Sequence, residues 1–147
     1  MVRVITFLWR LIWITAAILA AILAGLALYF TTTRLAMGHI PDAGVFVTQL
    51  GSYLMSLMAE RPAHALLTLG FVAAAVGTLE YAGMRSGITY GAAAAACAGL
   101  TIFIIADVPV MMMGANVSMA IQAVMASFAA GLVYWVLAGR SAGHWHI

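Results

Sequence analysis

Few side chains in this sequence could do chemistry, and Glu80 heads them. It is the one carboxylate within a long apolar run, and a charge there is costly enough to be a functional candidate by default. It could act as a proton site, a cation site or an ion-pair partner. It also lies only about one helical turn from Arg85 at the end of that run. Snorkelling to the headgroups, or pairing with Arg85, Arg10 or Arg140, would therefore also satisfy it. Asp107 stands two residues before Pro109, an arrangement that ends a helix. Gln122, with Asn116 and Ser118, could hydrogen-bond across helices, and Asn116 or Ser118 could instead cap one.

A second group is soft. Met111, Met112 and Met113 are consecutive, Met119 follows, and the topology below puts Met37, His39, Met55, Met58 and His64 on the same side. Thioether and imidazole suit copper. No spacing among them fixes a coordination geometry, however, and methionine is also an adaptable packing residue, so no cofactor is expected. His144 and His146 flank Trp145 in the tail, where an interfacial anchor through Trp145 is the simpler account. No Ser/His/Asp set, metal-ligand spacing or phosphate loop occurs, which speaks against an enzyme acting alone. The single Cys97 rules out an intrachain disulfide.

The elements holding these residues follow from composition. Of 147 residues, 66% are hydrophobic and 7% charged, against about a quarter charged in soluble domains. Hydrocarbon could solvate such a surface and water could not. The net charge of +2 comes from six scattered arginines with no lysine, which makes no nucleic-acid face. A helix rises about 1.5 Å per residue, so roughly 20 apolar residues cross a bilayer core. Residues 11–30, 65–84, 88–106 and 118–138 qualify. Backbone groups in lipid must pair within their own segment, so these are helices. Between the first two, Pro41 and Asp42 open a helix over 43–59. There Phe46, Leu50, Tyr53, Leu54, Leu57 and Met58 recur at helical spacing, opposite a polar line of Thr48, Ser52 and Ser56. It is amphipathic and short, and it is expected to lie along the interface, with a re-entrant crossing as the alternative.

The fold expected is one all-α transmembrane domain over 1–147: four helices in an antiparallel bundle plus one interfacial helix. Arg3, Arg10, Arg85 and Arg140 fall on one side against Arg34 and Arg61 on the other, which puts both termini in the cytoplasm. Trp9, Trp13, Tyr81, Tyr90, Tyr134 and Trp135 form an aromatic belt at the same level. A lysine-free, alanine-rich chain suggests a bacterial inner membrane. Small residues four apart form ridges for close helix contact: Gly87, Gly91, Ala95 and Gly99; Ala17, Ala21 and Gly25; Ala123, Ser127 and Gly131. These features point first to a non-catalytic accessory, anchoring or assembly subunit of a larger membrane complex, respiratory or photosynthetic, with lipids and other membrane subunits as partners. The alternatives are a homo-oligomeric transporter or channel using Glu80, and a copper- or haem-binding subunit.

Overall fold

A computed structural model describes residues 2–39, 43–60, 62–105 and 114–141. Among these every regular element is a helix and no strand occurs: α1 Val2–Ala36, α2 Ala43–Glu60, α3 Pro62–Tyr81, α4 Gly87–Ile105 and α5 Gly114–Leu137, then a single 3-10 turn, Gly139–Ser141. Two stretches are long and apolar enough to cross a membrane, Ile5–Ala36 and Val117–Leu137. Two shorter apolar stretches, Leu66–Tyr81 and Gly87–Phe103, accompany them. Asp42, Asp107, Met111, Met112, Met113, His144 and His146 lie outside the described residues, as do the side chains of His64 and Asn116.

The helix limits differ from the sequence reading in instructive ways. At 35 residues, α1 overruns the expected 11–30 at both ends and reaches about 52 Å. Hydropathy marks only its apolar part, whereas backbone pairing continues through Thr31, Thr32 and Thr33, whose hydroxyls bond back to carbonyls three or four residues earlier. The third helix runs from Pro62 to Tyr81, not 65–84. Pro62 suits a first helical position, where no amide hydrogen is needed. The far end is closed by Gly83 at φ +64°, with Gly83 N–H donating to Glu80 O at 3.1 Å and Met84 N–H to Leu79 O at 3.0 Å. The connection to α4 is thus 82–86, rather than Arg85, Ser86 and Gly87 alone, because Gly87 already starts α4.

Packing centres on α5, which contacts α4 and α1 extensively, while α3 leans on α4. The reason is backbone proximity. A methyl added at Gly131 would sit on the Tyr90 carbonyl oxygen and 2.8 Å from Gly91 Cα, so α4 and α5 touch main chain to main chain. Gly91 meets the Phe128 ring and Gly87 the Trp135 ring. Gly25 of α1 meets Ala130 of α5, beside the buried Ala17 and Ala21. Gly99, the last of the α4 ridge, faces nothing within 4 Å. Ala126 and Ala130, not singled out in the sequence, complete the α1–α5 contact.

Along α2, Thr48 and Ser52 donate to carbonyls of their own helix, and Val47 and Met55 are exposed. Antiparallel order brings the start of α1, the end of α3, the start of α4 and the end of α5 to one end of the bundle.

Gly131 and Gly99 differ sharply in what an added methyl would meet. Gly131→Ala is expected to lower stability by about 1–3 kcal/mol, the overpacking range, and Gly99→Ala to leave it unchanged or slightly raised. Thermal unfolding of both variants in one detergent compares them; equal midpoints would contradict the packing described.

Candidate functional site

The gathered end of the bundle holds a buried polar cluster around Glu80, which is 3% exposed. Glu80 sits in the last turn of α3, one residue before the helix stops, so its carboxylate projects toward the α4 and α5 ends. Arg10 Nη2 donates to Glu80 Oε2 at 3.2 Å, an ion pair across 70 residues of chain. Tyr134 donates its hydroxyl to Oε1 at 3.0 Å, and Tyr90 approaches the same oxygen at 3.5 Å. The two tyrosine rings pack with centroids 5.4 Å apart. A carboxylate removed from water needs such donors, and three separate helices provide them.

The same arginine closes a helix terminus. The last carbonyls of a helix have no partner within it, and a cation near them also meets the negative end of the helix dipole. Arg10 Nη2 donates to Ala138 O at 3.4 Å and Nη1 to Ser141 Oγ, which itself donates to Ala138 O at 2.9 Å. Trp13 Nε1 donates to Leu137 O at 2.9 Å. Trp135 Nε1 donates to Arg85 O at 2.6 Å in the α3–α4 connection, and the Arg140 guanidinium lies 5.5 Å from the Trp135 ring centroid. Glu80 is therefore not snorkelling. Arg10, one of the three arginines considered for it, is paired with it, and Arg140 is placed on an aromatic face.

At the other end the ties among the described residues are neutral and fewer. Thr33 Oγ1 lies 3.0 Å from Gln122 Oε1, joining α1 to α5. His39 is exposed, its Nδ1 3.0 Å from Met37 O. Among the described residues no three His, Cys, Asp or Glu side chains come together as a metal site would require.

Between the two ends lies a cavity of about 380 Å³. Its walls come from α1, α3, α4 and α5 and are mostly small: Ala21, Gly25, Ala94, Ala98, Ala126 and Ala130 among them. It arises because α3 leans on α4 and has little contact with α1. Ala123, Ser127 and Gly131 line it, so this expected packing ridge is only partly a packing surface. Ala95 is half-buried on α4.

Tyr90 and Tyr134 are the residues that sequence reasoning assigned to a belt and missed as ligands of Glu80. One signal was available for Tyr90. Residues equidistant from the centre of a tight antiparallel hairpin face each other, and 80 and 90 are equidistant from Arg85. Tyr134 and Arg10 carry no such signal.

A comparison with protein families, curated proteins and solved structures returns no match.

Removing one member of a buried ion pair is costly, whereas replacing both by apolar residues is often close to neutral. Glu80→Ala should destabilise the protein by about 3–5 kcal/mol, and the double variant R10M/E80M by much less. Unfolding midpoints of the two variants decide it: a double variant as unstable as E80A would mean that Arg10 and Glu80 are not energetically coupled.

Proposed function

We propose that this chain is a four-span membrane protein of a bacterial inner membrane, with both termini cytoplasmic, serving as a non-catalytic accessory or assembly subunit of a larger complex. The observation that carries this reading is the state of Glu80. A carboxylate that moves protons or cations must exchange with water during its cycle, and Glu80 is instead enclosed by an arginine and two phenols that also tie helix ends together. Its chemistry is used in holding the bundle, which favours a structural protein over a transporter.

Support for the membrane setting comes from where the apolar surface lies. Only 17% of the most apolar window in each of α1 and α5 is buried, whereas the core helix of a water-soluble fold is mostly buried. Trp9, Leu66, Ile88, Phe103 and Met125 all point outward. Helices α3 and α4, at 20 and 19 residues, reach about 30 Å, enough to cross a hydrocarbon core. The arginine and aromatic residues gathered at the Glu80 end favour the cytoplasmic side there. The mechanism would be steric, the bundle filling a lipid-facing groove on a partner while α2 and the segment containing Met111, Met112 and Met113 grip it.

Extraction of the native membrane in mild detergent, followed by mass spectrometry of what co-purifies with the tagged chain, is expected to recover a stoichiometric set of other membrane subunits. Recovery of the chain alone in one small particle would refute the subunit reading. Reporter fusions at the two termini should both register the cytoplasm, and opposite sides would overturn the four-span map.

A further inference from the structure

The cavity has a shape and a chemistry of its own. Along α1 its lining runs from Ile18 to Tyr29, and along α5 from Tyr134 to Ala123, so it is a slot about 16 Å long, parallel to the helices. Its volume of about 380 Å³ is within the range of small-molecule sites. Left empty, it would forfeit dispersion contacts along every wall. Its two ends are unlike. Toward Glu80, the Tyr90 and Tyr134 hydroxyls are engaged by the carboxylate, leaving ring carbon to face the slot. Toward the Thr33–Gln122 end, Tyr29 and Ser127 both line the slot, and their hydroxyls have no hydrogen-bond partner among the described residues. The antiparallel register set by Thr33–Gln122 and Gly25–Ala130 puts these two residues at nearly the same depth. Half-buried hydroxyls without partners are unfavourable in an apolar setting, and a bound oxygen would satisfy them.

We infer that this slot binds a long uncharged amphiphile, a hydrocarbon chain ending in a hydroxyl or carbonyl oxygen, with that oxygen at Tyr29 and Ser127 and the chain lying toward Tyr90 and Tyr134. The small side chains of Ala94, Ala98 and Ala126 leave room for the chain, and the sparse contact between α1 and α3 provides a lateral way in. A carboxylate or phosphate head is disfavoured, since no cationic side chain lines the slot and the charge would be buried unpaired. Binding at the slot and assembly with a partner are read by different measurements, so either can fail without the other.

The probe is tritiated 1-dodecanol, with the purified full chain immobilised for scintillation-proximity binding. Saturable binding is expected, displaced by unlabelled 1-dodecanol, displaced roughly five-fold less effectively by dodecane, and not displaced by dodecanoate. Ala94→Phe, which fills the slot, should abolish the saturable component. The Y29F/S127A double variant keeps the shape and removes both hydroxyls, and it should bind at least roughly five-fold more weakly, the effect of one lost hydrogen bond. It also keeps the test decisive if A94F fails to fold. Organic extraction of the protein from its own membrane then identifies the source, a neutral bilayer lipid or a free long-chain alcohol or carbonyl compound. Absence of saturable binding, equal displacement by dodecane, or wild-type affinity in Y29F/S127A would overturn the assignment.

Discussion

The arrangement depends first on one buried carboxylate. Apolar helices with alanine-rich sides can slide past one another with little change in contact, because dispersion is non-directional and one alanine resembles the next. Directional bonds remove that freedom. Glu80 fixes the depth of α3 against Arg10 of α1, Tyr90 of α4 and Tyr134 of α5, and Arg10 carries the constraint on to Ala138 and Ser141. A slide of one residue along any of these helices moves a donor by about 1.5 Å, enough to break its bond.

Below that cluster, rotation is set by small residues. Gly131 against the Tyr90–Gly91 backbone and Gly25 against Ala130 allow α1, α5 and α4 to approach closely. Helix α3 meets α4 instead through a side chain, the Cys97 thiol lying 3.7 Å from Phe71 O. Gly70 and Gly77 of α3 face nothing within 4 Å, so its glycines bring no neighbour close. The bundle is accordingly a tight three-helix layer with a fourth helix held mainly at its polar end and along α4, and the slot is the space this leaves.

Element existence was largely legible in the sequence, because apolar runs bounded by arginine, proline and glycine admit few readings. The helix limits were less so. Hydropathy does not see the backbone turn at Gly83 that ends α3 at Tyr81, nor the threonines that carry α1 on to Ala36. The site was partly legible. Glu80 stands out as a charge in an apolar run, and Arg10 was one of three arginines that the topology brought near it. Choosing among them, and finding Tyr134, requires the rotation of each helix about its axis. Helices α3 and α4 are apolar nearly all round, so periodicity carries no information about which face turns inward. The slot was invisible for the same reason: a run of small residues reads as a ridge for contact whether or not a neighbour reaches it, as Gly87 and Gly99 on one helix demonstrate.

The two ends of the bundle hold with unequal strength, and this bears on how it can move. At the Glu80 end an ion pair, two phenol bonds and two indole bonds cross between segments. At the other, among the described residues, the Thr33–Gln122 bond is neutral and joins α1 to α5. Local opening takes the path that breaks fewest contacts, so the Glu80 end, where α3 is bonded to α1, α4 and α5, is expected to open last among the described contacts.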